Sequence, residues 1–229
     1  MVERLIEAVL AANRALPEHG LVTLTWGNAS GIDRAEGLVA IKASGVSYED
    51  MTPADVVVVD LEGSVVSGER RPSTDTPTHL VLYRAFEEIG GIVHTHSSWA
   101  TAWAQAAREI PVLGTTHADL SAYPVPVTRP LRAEEVDAGY EAATGAALID
   151  AVGERGALKV PSVLARGHAP FCWGETPAGA VETAVTLEAV ARMALLTLQL
   201  DPAATPLADA VRDKHFERKH GPHAYYGQA

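Results

Sequence analysis

The chain has 229 residues, 47% hydrophobic and 21% charged, the composition of a soluble globular protein with ample core. A formal net charge of −11 argues against a phosphate-backbone partner such as DNA or RNA, and an anionic small molecule would need positive groups gathered locally. Cys172 is the only cysteine, which excludes an intramolecular disulfide and predicts a reducing compartment, the cytoplasm.

No linker divides the chain, so one domain over residues 1–229 is expected. Leu5, Ile6, Val9, Leu10, Asn13 and Leu16 fall at helical spacing, interrupted by charges, unlike the apolar core of a signal peptide; Pro17 and Gly20 stop that helix. Leu21-Val22-Thr23-Leu24-Thr25 reads as a strand, followed by a tight polar loop, Trp26-Gly27-Asn28-Ala29-Ser30-Gly31. Such a loop fits an anion cradle or an ordinary turn. Leu38-Val39-Ala40-Ile41-Lys42 is the next strand and runs into Ser44 and Gly45, a second candidate cradle with its own cation. Val56-Val57-Val58-Val59 is an apolar strand, and Ser64-Val65-Val66 completes a hairpin between Gly63 and Gly68.

The polar run Arg71-Pro72-Ser73-Thr74-Asp75-Thr76-Pro77 leads into a helix, with Thr76 as N-cap and Pro77 at the first helical position. Its start is a third place where N–H groups and hydroxyls could meet an anion. Gly90-Gly91 precedes Ile92-Val93-His94-Thr95-His96, a buried strand in which His94 and His96 share a face. Two such imidazoles can chelate a divalent ion, although alternating core or surface histidines give the same pattern. A helix from Ser97 or Ser98 to about Gln105 follows, then a strand at Ile110-Pro111-Val112 and the polar run Gly114-Thr115-Thr116-His117-Ala118-Asp119.

A helix over 133–151 carries Glu134, Glu135, Asp137 and Glu141 on a solvated acidic face without catalytic features. Ser162-Val163-Leu164-Ala165 is a strand ending in Arg166-Gly167-His168. The longest helix opens at Pro177 and runs to about Leu200, apolar nearly all round and therefore buried against a core or a second subunit. Glu182, Glu188 and Arg192 interrupt it, so no segment reaches the roughly 20 apolar residues that span a bilayer. A short helix near Leu207 begins a basic, aromatic tail, over about 207–229, that is unexpected on an acidic protein unless it simply frays.

Taken together and in order, these segments resemble the L-ribulose-5-phosphate 4-epimerases of the class II aldolase group. The resemblance spans nearly the whole chain and is most specific at 21–31 (LVTLTWGNASG), 72–83 (PSTDTPTHLVLY), 90–97 (GGIVHTHS), 114–119 (GTTHAD), 168–174 (HAPFCWG) and 213–228, which ends YYGQ. It implies a single-domain α/β fold, a three-layer α/β/α class II aldolase-like sandwich with a central, mostly antiparallel sheet. It also implies a homotetramer with active sites at subunit interfaces. By the same resemblance zinc, with manganese the alternative, is held by His94, His96 and His168, with Asp75 at the metal. Asn28, Lys42, Ser44, Gly45, Ser73 and Thr74 match the phosphate site, which unites the three cradles; Asp119 matches an acid/base residue. Tyr226 and His215 match groups delivered by a neighbouring subunit.

The implied partner is a small sugar phosphate, with no nucleic acid and no membrane. The implied reaction inverts C4 of L-ribulose 5-phosphate by retro-aldol cleavage, because a C–H beside no carbonyl is not acidic enough for direct proton removal. Leu120-Ser121-Ala122-Tyr123 stands where the family usually has Tyr-Phe-Tyr-Gly, Ala43 replaces a proline, Ala169 a glycine and Thr74 a serine. A fuculose or rhamnulose phosphate aldolase of the same group is the nearest rival, but those enzymes have glutamate in place of Asp75 and lack the YYGQ ending. A non-catalytic interaction domain like the head of adducin is disfavoured, since such domains lose the zinc histidines.

Overall fold

The computed structural model describes residues 2–226. One sheet forms the centre: β1 (Asn28–Asp33), β2 (Leu38–Lys42), β3 (Val56–Asp60), β4 (Val65–Ser67), β5 (Gly91–His94), β6 (Ser162–Leu164) and β7 (Pro170–Gly174). Their spatial order is β4-β3-β2-β1-β5-β7-β6, and every neighbouring pair is antiparallel. Helices α1 (Val2–Glu18), α3 (Ser98–Gln105) and α6 (Pro177–Leu200) cover one face; α2 (Thr76–Ala85) and α5 (Ala133–Val152) cover the other. The result is the expected α/β/α sandwich. The short α4 (Thr115–Leu120) sits against α6 and against α7 (Asp209–His220).

A sheet covered on both faces needs apolar residues at consecutive positions, with alternate ones going to opposite cores. Ile92, Phe171 and Trp173 face α2 and α5, whereas Val93 and Cys172 face α3 and α6. In β3, Val57 and Val59 join the first core, and Val56 and Val58 lie under α1. The unbroken valine run is therefore a two-faced strand.

Several elements differ from expectation. Residues 21–25 form no strand, and the chain instead enters the sheet at Asn28, inside the predicted polar loop. Gly27 makes this possible: its φ is +85°, and a Cβ there would lie 2.7 Å from the His94 carbonyl oxygen. The small residues of β1 pair between β2 and β5 because helices press directly on them; a Cβ on Gly31 would lie 2.7 Å from Pro177 Cγ. Tertiary crowding overrides the stronger strand propensity of Leu21-Val22-Thr23.

β5 ends at His94, so His96 lies in the connection beyond it. Ile110 makes only an isolated bridge to Val125 rather than a strand. Asp75, not Thr76, takes the N-cap position of α2, moving Pro77 to the second position. The run ending in Asp119 is helical. α5 is broken at Gly139, where φ is +153° and ψ is +91°. Among the described residues no helix is long and apolar enough to cross a membrane.

Candidate active site

Adjacent strand ends build the floor of the site. Asn28 of β1 lies opposite His94 of β5, and His94 lies opposite Phe171 of β7, so the turn between β6 and β7 delivers His168 to the same edge. The His94 ring stacks on Phe171 with centroids 4.1 Å apart. His96, although beyond the strand, brings its ring to 5.0 Å from His94 and 4.9 Å from His168. One ligating atom from each of the three histidines lies within 4.8 Å of the others.

The surroundings fix which nitrogens are free. His94 Nδ1 lies 2.9 Å from the Pro170 carbonyl, which can only accept, so Nδ1 carries the proton and Nε2 keeps its lone pair. His168 Nδ1 is 3.0 Å from the Tyr140 hydroxyl, leaving its Nε2 to face His96 Nε2 at 3.2 Å. Two nitrogens bound at 2.0–2.1 Å to a tetrahedral ion would be about 3.3 Å apart. Burial lowers the pKa of all three, that of His94 to about 3, so the neutral, ligating form prevails at neutral pH. The donor set therefore fits a divalent ion such as zinc, with three protein ligands and an open position.

Asp75 is not among these converging atoms. Its carboxylate accepts hydrogen bonds from the Asn28 amide at 2.6 Å and the Ser73 hydroxyl at 3.4 Å. Burial alone would raise its pKa, but the facing His94 and His79 and the Asn28 bond hold it below the usual carboxylate range. Asn28 Oδ1 is buried with no hydrogen-bond partner among the described residues.

Asn28, Lys42, Ser44, Gly45, Ser73, Thr74, Asp75 and the three histidines line one cavity of about 550 Å³. The three anion cradles thus become one. Lys42 is almost completely buried, with its ammonium 4.7 Å from the centre of the Tyr48 ring and 3.5 Å from the Thr25 and Ala43 carbonyls. Burial lowers its pKa and the Asp55 carboxylate works against that shift. Tyr48 also donates to the Gly27 carbonyl at 2.7 Å, tying the first cradle to the second.

Tyr140, which no sequence pattern marked, and Glu141, which the sequence places on a solvated face, both line the cavity. Glu134 and Asp137 of the acidic face of α5 are exposed as expected, whereas Glu141 is half-buried and borders the cavity. The break at Gly139 turns the helix at this point, and Thr78 Oγ1 holds the Glu141 carbonyl at 2.7 Å. A glycine followed by tyrosine inside a helical pattern was the available signal.

Asp119, His215 and Tyr226 do not line this cavity. Asp119, on α4, is instead bound by the tail of its own chain: His215 Nδ1 lies 3.1 Å from Oδ1, and Arg218 donates to both carboxylate oxygens at 3.1 and 2.7 Å. Burial would raise the Asp119 pKa, but Arg218 and His215 hold it below the ordinary range. Tyr226 is 56% exposed, with Arg218 over its ring. The last two residues of the YYGQ motif, Gly227 and Gln228, lie outside the described residues.

Comparison with known proteins agrees with this fold. The chain is 52% identical over 227 residues to "L-ribulose-5-phosphate 4-epimerase UlaF" of Salmonella paratyphi B, covering 99% of this chain and 100% of that protein. The relative of the same name from Salmonella typhi gives the same identity and coverage. Among solved structures, an L-fuculose 1-phosphate aldolase superposes with a TM-score of 0.79 at 25% identity, covering 94% of this chain and 95% of that one. The L-fuculose-1-phosphate aldolase of Thermus thermophilus gives a TM-score of 0.69 at 29% identity, covering 90% and 100%. Residues 7–195 match the model of the class II aldolase and adducin N-terminal domain, and the chain belongs to that family.

Proposed function

We propose that this protein is a metal-dependent 4-epimerase that converts L-ribulose 5-phosphate to D-xylulose 5-phosphate. The observation that carries the reading is one cavity lined by three neutral imidazoles, a buried lysine and the hydroxyl residues Ser44, Ser73 and Thr74. The full-length similarity to a protein named for this reaction supports it. Zinc suits the nitrogen donor set, and the cytoplasm is where a charged sugar phosphate, which does not cross a bilayer unaided, would be met.

Lys42, Asn28, Ser44, Gly45, Ser73 and Thr74 bind the phosphate and keep it fixed through the reaction. A base removes the C4 hydroxyl proton, the C3–C4 bond breaks, and its electron pair passes to the C2 carbonyl. The products held in the site are a dihydroxyacetone enediolate and glycolaldehyde phosphate. An ion held by His94, His96 and His168 would supply Lewis-acid stabilisation of the negative charge that develops on the C2 oxygen. The aldehyde turns about its tethered phosphate, the enediolate adds to its other face, and a second group protonates the new C4 alkoxide.

Asp119 and Tyr226 take those proton-transfer roles, with His215 bound to Asp119. None of the three lines its own chain's cavity, so a neighbouring subunit of a homotetramer supplies them as a group. This differs from a site that combines a resident Asp119 with a borrowed tail.

The test is to add L-ribulose 5-phosphate to metal-replete protein and follow the products. Accumulation of D-xylulose 5-phosphate is expected; net release of dihydroxyacetone and glycolaldehyde phosphate instead would make the protein an aldolase.

A further inference from the structure

Arg218 was not singled out by any motif, yet it touches both proposed proton-transfer residues, Asp119 and Tyr226. Its guanidinium edge grips Asp119 in a two-pronged contact, Nε to Oδ1 at 3.1 Å and Nη2 to Oδ2 at 2.7 Å. Its face lies over the Tyr226 ring, 4.5 Å from the centroid. Its backbone carbonyl, near the open end of α7, accepts the N–H groups of Tyr225 at 2.9 Å and Tyr226 at 3.1 Å. One residue thus holds the carboxylate with its edge, the phenol ring with its face and the following chain with its main chain.

We propose that Arg218 is the positioning residue that joins Asp119 and Tyr226 into a single preassembled unit. This rests on the reading above that those two groups perform the proton transfers. α7 has no buried residue, so hydrophobic burial alone does little to hold the terminal tyrosines in place. Arginine suits the task where lysine does not, because only a planar guanidinium offers a donor fork at its edge and a stacking surface on its face. Arg218 also neutralises Asp119 while leaving the cavity with its own cation, Lys42, to bind phosphate. Loss of Arg218 therefore disturbs bond making and breaking without disturbing metal or phosphate binding.

The experiment uses the full chain, metal-replete, with Arg218→Ala and Arg218→Lys beside Asp119→Asn and Tyr226→Phe. Both Arg218 variants are expected to lose about 10²-fold in kcat. Bound metal and competitive inhibition by inorganic phosphate should stay within about twofold of wild type. Adding Arg218→Ala to Tyr226→Phe should cost less than about threefold more, since residues acting as a unit are not additive. Non-denaturing guanidinium should restore part of the Arg218→Ala turnover, and ammonium should not. Wild-type turnover in Arg218→Ala, or full turnover in Arg218→Lys, overturns the proposal, as does a loss that extends to metal content and phosphate inhibition. If Asp119→Asn and Tyr226→Phe themselves keep wild-type turnover, the acid/base reading fails. If they lose it while Arg218→Ala does not, only the role of Arg218 fails.

Discussion

The histidine cavity and the Asp119 tail cluster are built on opposite plans. The cavity stands on paired strand ends: His94 is locked by β1 and β7 as neighbours, by stacking on Phe171 and by a bond to the Pro170 carbonyl. The tail cluster stands on two helices at the edge of the fold, held by charge and hydrogen bonds around Asp119. The first plan suits a site that must fix an ion and a phosphate to within fractions of an ångström. The second suits groups offered to a neighbour, because contact with the partner completes their burial. On the proposed reading binding belongs to the cavity and proton transfer to the tail cluster, and substitutions should sort accordingly.

The largest expected effect breaks the first half alone. His96→Asn removes one of three ligands, so elemental analysis should find most of the metal lost and turnover should fall with it. Full metal occupancy in that variant would dismiss the triad as the metal site.

The second half breaks differently. Asp119→Asn or Tyr226→Phe should each reduce epimerisation by about 10²–10⁴-fold with metal content intact. Subunit mixing sharpens the division. Either variant mixed with His96→Asn should recover activity, because hybrid contacts pair an intact tail cluster with an intact cavity. Asp119→Asn mixed with Tyr226→Phe should recover none, because both defects lie in the half that one chain contributes. Recovery in that second mixture would show that Asp119 serves its own chain's site.

Lys42→Met tests the cavity's other function. Losing a charged hydrogen-bond donor should weaken the sugar phosphate and inorganic phosphate alike by about 1.5–3 kcal/mol, or roughly 10–150-fold. Unchanged inhibition by phosphate would remove Lys42 from the phosphate site. The smallest effect concerns Tyr140, which orients His168 from behind. Tyr140→Phe should weaken metal binding by about 10-fold, at the low end for the partner of a ligand, while the metal-free protein unfolds at an unchanged temperature. Chelator competition gives the affinity, and equal affinities would assign the tyrosine another task.

Residue patterns alone determined most strands and helices, and the resemblance to the class II aldolase group supplied the sandwich and the grouping of the cavity residues. Two-faced valine and isoleucine runs have few alternatives to a buried sheet, and the helices announce themselves by spacing, by proline starts and by glycine stops. His94 and His96 were legible as a candidate pair from their spacing and the cradles as candidate anion sites from lysine, hydroxyls and turns, while His168 joined them only through the resemblance. Tertiary structure decided what depends on distant neighbours. It drew Asn28-Ala29-Ser30-Gly31 into the sheet against their weak propensity, through helices that leave room only for small residues. It broke α5 at Gly139 so that Tyr140 and Glu141 face the cavity. It also set Asp119 with Arg218 across 99 residues of chain rather than with the histidines. Local pattern reports what a segment prefers; which groups meet is fixed by packing and charge pairing between segments far apart in sequence, and no single window of sequence contains both partners.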